Sequence, residues 1–112
     1  MGRVLVIISN SAGNLAQENG QRKVKTWLSA RNVAYVEVEA TIDADERRKL
    51  TGISGKVGGY PQVFIERAQD DIEYVGDYEK LLELIEAEEI PANVVEANNI
   101  PTFSTVFKEF IA

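Results

Sequence analysis

The sequence predicts one α/β domain built on a four-stranded mixed sheet in the order β-α-β-α-β-β-α, with a C-terminal helical extension. Three observations carry this. Residues 4–8 form an unbroken apolar run, the pattern of a central strand buried on both faces. Val24, Trp27 and Leu28 fall at i, i+3, i+4 and give the next segment one apolar helical face. Residues 61–65 and 72–75 are strand-like and close enough to form a hairpin. Alternating strand and helix imply a parallel, right-handed first crossover. The late hairpin adds antiparallel strands to the same sheet.

Taken in order, residues 9–14 are a polar, Gly-containing loop. The first helix is expected over residues 15–31, with Gly20 weakening it by ~1 kcal/mol relative to Ala. Residues 34–39 alternate and predict a second strand, with Tyr35 or Val36, and Val38, facing a core. Asp43 and Glu46 have the spacing of a capping box for a short helix to about Leu50. Gly52, Gly55, Gly58 and Gly59 read as a loop. Pro61, expected cis, opens the third strand. Residues 68–71 form a turn, and the fourth strand runs over 72–75. Asp77 caps a helix whose buried stripe is Tyr78, Leu81, Leu82 and Ile85.

The segment after Glu86 is interrupted by Pro91 and Pro101, with Val94 and Val95 between them. Phe103, Val106, Phe107, Phe110 and Ile111 recur at helical spacing, which predicts one amphipathic helix capped by Thr102. Residues 1–87 are therefore expected to form the domain, and residues 88–112 an extension packed on it. The competing reading is a free helix that docks a partner through Phe103, Phe107 and Phe110. Three Phe left in water would be an aggregation hazard, which favours the packed form.

Composition narrows the function. The chain has 112 residues, 45% apolar and 27% charged, with neither Cys nor His. Residues 1–34 carry a net +4, so the overall charge of −6 leaves −10 on the remainder. Such acidity repels phosphates, so nucleic acid is not an expected partner. The basic residues Arg22, Lys23, Lys25 and Arg31 read as a solvated helix face rather than a docking patch. No apolar run approaches a membrane span. The apolar start is too short for a signal peptide, and Val6 stands where myristoylation wants Ser or Thr. The expectation is a cytoplasmic monomer that spans no membrane.

Four segments carry a family resemblance. Residues 4–13 are a hydrophobic strand running into a Ser- and Gly-containing loop. Residues 24–43 include Trp27-Leu28, Tyr35, Glu37 and Val38. Tyr60-Pro61-Gln62-Val63-Phe64 is similar to the proline loop and strand of glutaredoxins. Gly76-Asp77-Tyr78-Glu79 joins a strand to a helix, and is the most specific of the four. Together they resemble the SH3-domain-binding glutamic-acid-rich-like proteins, a cysteine-poor branch of the glutaredoxin family. The resemblance implies a thioredoxin fold in its minimal, glutaredoxin form. It covers residues 3 to about 87, with residues 88–101 looking like an insertion of this chain's own.

The resemblance also implies a groove lined by Asn10, Ser11, Gly13, Tyr60, Pro61, Gly76 and Asp77. Gly13 stands where active glutaredoxins have the nucleophilic cysteine. Ala16 replaces the resolving cysteine, and Asn10 the lysine that pairs with glutathione. The thiolate is the nucleophile of thiol–disulfide exchange, so that activity is excluded and no catalytic residue is assigned. Glutathione binding should be weak or absent. Tyr60-Pro61 can still offer a backbone edge, and Gly76-Asp77 an amide or carboxylate. The namesake SH3 binding is not carried over, because Gly59-Tyr60-Pro61-Gln62 has no PxxP spacing.

Other chemistries find little support. Without His there is no Ser-His pair or His-metal arrangement. The acid pairs Asp43 and Asp45, Asp70 and Asp71, and Glu88 and Glu89 read as solvated, so neither a metal nor a cofactor is expected. Residues 9–14 could cradle an anion at a helix N-terminus, but a polar, helix-capping connection is the simpler reading. Residues 52–59 lack the Gly-Lys-Ser/Thr ending of a phosphate loop. The expected function is a non-catalytic interaction module holding a protein or extended peptide in the groove. The alternatives are a degenerate glutathione-binding or sensor protein, and a subunit of an assembly docking through the Phe-rich tail.

Overall fold

The computed structural model describes residues 2–10 and 14–112. Four strands form one sheet: β1 (Arg3–Ile8), β2 (Tyr35–Glu39), β3 (Gln62–Ala68) and β4 (Asp71–Asp77), in the order β2-β1-β3-β4. β1 pairs parallel with β2 and antiparallel with β3, and β3 pairs antiparallel with β4. Among the described residues five α-helices accompany them: α1 (Leu15–Ala30), α2 (Ala44–Ser54), α3 (Tyr78–Glu86), α4 (Ala92–Asn98) and α5 (Phe103–Val106). None of the described helices is long and apolar enough to cross a membrane.

The apolar run of β1 is buried on both faces, and its period-2 alternation sorts it between two cores. Val4, Val6 and Ile8 join Val63 and Ile65, and α1 and α3 cover them with Val24, Leu28, Leu81 and Leu84. Leu5 and Ile7 join Phe64 and Val38 on the other face, where Leu50 of α2 covers them. On β2 it is Tyr35 that packs against the first core, while Val36 is exposed.

Several sequence expectations are corrected. Asp43 makes no side-chain cap to α2. Its Oδ2 accepts from the Glu39 N–H at 3.0 Å instead, so the carboxylate holds the end of β2. α2 also runs past Leu50 and Gly52 to Ser54, because one interior Gly costs a helix only ~1 kcal/mol. It stops at Gly55, whose φ of 73° is the left-handed cap position. β3 and β4 extend beyond the expected spans, leaving only Gln69-Asp70 between them.

The tail differs most. Pro91 sits at the N-cap of α4 rather than breaking the segment, and Asn99 closes that helix at φ 52°. Residues 103–111 are not one helix: α5 is four residues long, and Lys108–Phe110 form a separate 3-10 turn. Thr102 caps α5 as expected, in a reciprocal box with Thr105. Glu88, one of the acids expected to be solvated, accepts from the N–H and hydroxyl of Ser104 at 3.0 and 2.7 Å. Phe103 and Phe107 are fully buried in the core under α1 and α3, with ring centroids 4.7 Å apart. They therefore offer no surface to a partner in this structure, whereas Phe110 is half-buried at the core's margin. The chain then pairs Ile111 with Val33.

Candidate functional site

The sheet register sets the geometry of the site. Val38 pairs with Ile7, Ile7 with Gln62, and Gln62 with Asp77, making one row across all four strands. Beyond that row the chain leaves or enters every strand. Asn10, Tyr60, Pro61, Gly76 and Asp77 thus come to the same end of the sheet. Ser11 and Gly13, the other two expected groove residues, lie outside the described residues.

Three polar residues that the sequence reading did not single out hold the loops at this end of the sheet. Gln21, buried on α1, accepts from the Ser9 N–H at 2.8 Å and donates to the Ser9 carbonyl at 3.1 Å. It acts as a strand partner made from a side chain. Glu39, only 8% exposed at the end of β2, accepts from the Asn10 N–H at 2.9 Å through Oε1. Its Oε2 accepts from the N–H and hydroxyl of Thr41 at 2.8 and 2.6 Å, and from the Ile42 N–H at 2.9 Å. Gln62, fully buried, donates to the carbonyls of Lys56 and Gly58 and accepts from the Ser54 hydroxyl. It therefore shapes the Gly-rich loop that leads into Tyr60.

The donors around Glu39, the Thr41 hydroxyl foremost, hold its pKa down to about 2, against an ordinary value of 4.5. A depressed carboxylate pKa contributes stability that is fully present above the unfolded value and is lost as pH falls through the folded one. The contribution of Glu39 should therefore fade between pH 4.5 and about 2. Urea midpoints of the wild type and Glu39→Gln should differ at pH 7 and converge as pH falls through this window. A difference that stays constant over that range would contradict the role given to this carboxylate.

The Tyr60-Pro61 peptide bond is cis. A β-carbon built at Gly20 of α1 would lie 3.6 Å from Pro61 Cδ and 3.5 Å from Tyr78. Pro61, α1 and the start of α3 therefore meet closely, and Trp27 stacks on Tyr78 with centroids 5.6 Å apart. Asn14 caps α1 by accepting from the Gln17 N–H at 3.2 Å, the capping role expected of this loop.

Asp77 caps α3 as the sequence indicated, its Oδ1 accepting from the Lys80 N–H at 3.1 Å. Its Oδ2 faces the Lys56 ammonium at 3.5 Å. Both oxygens are thus engaged within the chain, which reduces what the expected carboxylate can offer a ligand. Lys56 is a cation that sequence spacing did not place here. It also lies over the Tyr74 ring, 5.6 Å from the centroid.

The sheet order and the helix covers on both faces define a thioredoxin-like fold. The family model for the SH3-binding, glutamic acid-rich protein matches residues 3–99, and the chain belongs to that family. Residues 88–99 thus fall inside the family match, which corrects the expectation that this stretch is an insertion. The solved structure of Actin interacting protein 5 (Aip5, wild type) is similar, with a TM-score of 0.60 and 23% sequence identity. That match covers 79% of this chain and 83% of the other. At that identity the likeness concerns the fold. The comparison with curated proteins finds no match.

Proposed function

We propose that this protein is a non-catalytic interaction module that holds an extended peptide at the end of its sheet, between Asn10, Tyr60-Pro61 and Gly76-Asp77. One observation supports this reading above the others. Leu15, Ile42 and Val57 are the most exposed large apolar side chains among the described residues, at 71%, 78% and 94%. All three belong to segments that converge on this end of the sheet. Exposed apolar side chains brought to one end of a sheet suit a protein contact. The chain also has no Cys, so the groove serves no thiol exchange.

Family membership suggests a protein partner in the general sense. The lack of PxxP spacing argues against an SH3 domain as that partner. Glutathione fits poorly, since Asn10 brings no charge and the Asp77 oxygens are already engaged. Residues 88–112 are read as part of the same unit, because Phe103 and Phe107 complete its core. That weakens the assembly-subunit reading, which needs them free. We place the module in the cytoplasm as a monomer.

Selection from a displayed library of random peptides tests the reading. Bound peptides should shift the NMR signals of Asn10, Tyr60 and Gly76, and Tyr60→Ala should lose them. Binders that map instead to the acidic residues Glu79, Glu83 and Glu86 of α3 would replace the groove with another site.

A further inference from the structure

The backbone of Tyr60 lies just outside the β3 ladder, which begins at Gln62. Its N–H donates to the side-chain oxygen of Gln17 at 3.3 Å. Gln17 sits in the first turn of α1, where its own N–H is held by the Asn14 cap. An amide carbonyl is therefore already seated on the backbone edge of the groove, supplied by the chain itself. A side-chain amide and a peptide carbonyl are the same acceptor chemically. The flanking residues are Leu15, two positions before Gln17, and Val57, three positions before Tyr60; both are strongly exposed. Between Val57 and Tyr60 stand only Gly58 and Gly59, Leu15, Ala16 and Gln17 are likewise uncharged, and the nearby Lys56 and Asp77 face each other at 3.5 Å.

We propose that Gln17 is a built-in stand-in for the ligand, and that the groove takes an uncharged extended peptide with apolar side chains. The peptide displaces Gln17, gives its own carbonyl to the Tyr60 N–H, and lays its side chains against Leu15 and Val57. Main-chain hydrogen bonding then supplies the docking, and the apolar flanks select the sequence. Gln17 tunes affinity downward, because each peptide must first break an internal hydrogen bond. This proposal rests on the groove reading above and names the class of ligand for it.

Gln17→Ala separates the two. The Asn14 cap uses the backbone of residue 17, so the variant keeps its helix start, and Ala is the better helix former. The probes are two capped tetrapeptides, Ala-Leu-Val-Ala and Ala-Ser-Asn-Ala, titrated into the full chain while amide and methyl NMR signals are followed. The apolar peptide should shift Tyr60, Leu15 and Val57 saturably. It should bind Gln17→Ala about three- to tenfold tighter than wild type, the range of one internal hydrogen bond removed. Gln17→Glu, which keeps an acceptor in place, should stay as weak as wild type. Equal affinity for wild type and Gln17→Ala, with shifts at Tyr60, overturns the role of Gln17 and leaves the groove standing. Equal binding of the two peptides overturns the apolar selectivity. Absence of shifts at Tyr60 in both proteins, with either peptide, overturns this proposal and the groove reading together.

Discussion

Phe107→Ala should destabilise the protein by about 3–5 kcal/mol, the usual cost of emptying a fully buried Phe site. The ring is 0% exposed and shares a core with Val24, Leu28, Leu81 and Leu84. Its neighbour Phe103 is equally buried, 4.7 Å away between centroids, and carries the Arg31 guanidinium 5.2 Å above its ring. Removing one ring leaves the other without its partner as well as leaving a cavity. A domain of this size has about 5–15 kcal/mol of total stability, so the loss is a large share of it. Phe110→Ala is the internal control. That side chain is half-buried and should cost much less. Urea denaturation of the two variants decides the matter. If Phe107→Ala unfolds at the wild-type midpoint, the tail is not part of the core. The reading in which it docks a partner would then return to the front.

The strands were legible because burial writes itself into short apolar runs. Residues 4–8 and 63–65 are each buried on both faces, and no other element produces so dense a pattern. Helix caps were legible where a short polar side chain precedes a helix and keeps an oxygen for its N–H groups, as at Asp77 and Thr102. Asp43 had the same signature and failed, because the Glu39 N–H of the preceding strand end takes its carboxylate. Capping is decided by tertiary neighbours that spacing does not encode. The tail was misread for a related reason. A 3.6-residue apolar spacing is satisfied by two short helical turns wrapped over a curved core as well as by one straight helix, and packing chooses between them.

At the site, the sequence found the turn residues and missed the residues that hold them. Tyr60, Pro61, Gly76 and Asp77 carry local signals: a proline before a strand and a Gly-Asp at a helix start. Gln21 and Glu39 carry none, and Gln62 only a faint one. Each is a common polar residue whose role comes from burial against a loop distant in sequence. One late signal was available. Gln62 stands directly after Pro61 in a run that is otherwise apolar, and a buried amide there needs backbone partners. The carbonyls of Lys56 and Gly58 supply them.

Gly76→Ala should cost roughly 2–4 kcal/mol and disturb the loop that packs beside it at the same time. Gly76 has φ 154°, a conformation that L side chains rarely adopt, and forcing one into it costs about 1–3 kcal/mol. Sterics add to this. A β-carbon here would fall well inside van der Waals contact with Cβ and Cγ of Lys80. Lys80 Cβ is fixed to the first turn of α3, so rotating the side chain does not relieve the clash, and the helix start must move. That turn is where Asp77 Oδ1 receives the Lys80 N–H, and Asp77 also faces Lys56. Displacing α3 therefore loosens the cap and the contact to the Gly-rich loop together. Gly52→Ala provides the contrast. It lies within α2, nothing stands within 4 Å of its added β-carbon, and Ala is favoured over Gly in a helix by ~1 kcal/mol. The same chemical change should then lower the urea midpoint at residue 76 and raise it at residue 52. NMR signals of Lys56 and Tyr60 should move in the first variant and stay in place in the second. A stable Gly76→Ala protein with unchanged Lys56 signals would mean that the approach of α3 to the end of β4 is looser than this packing requires.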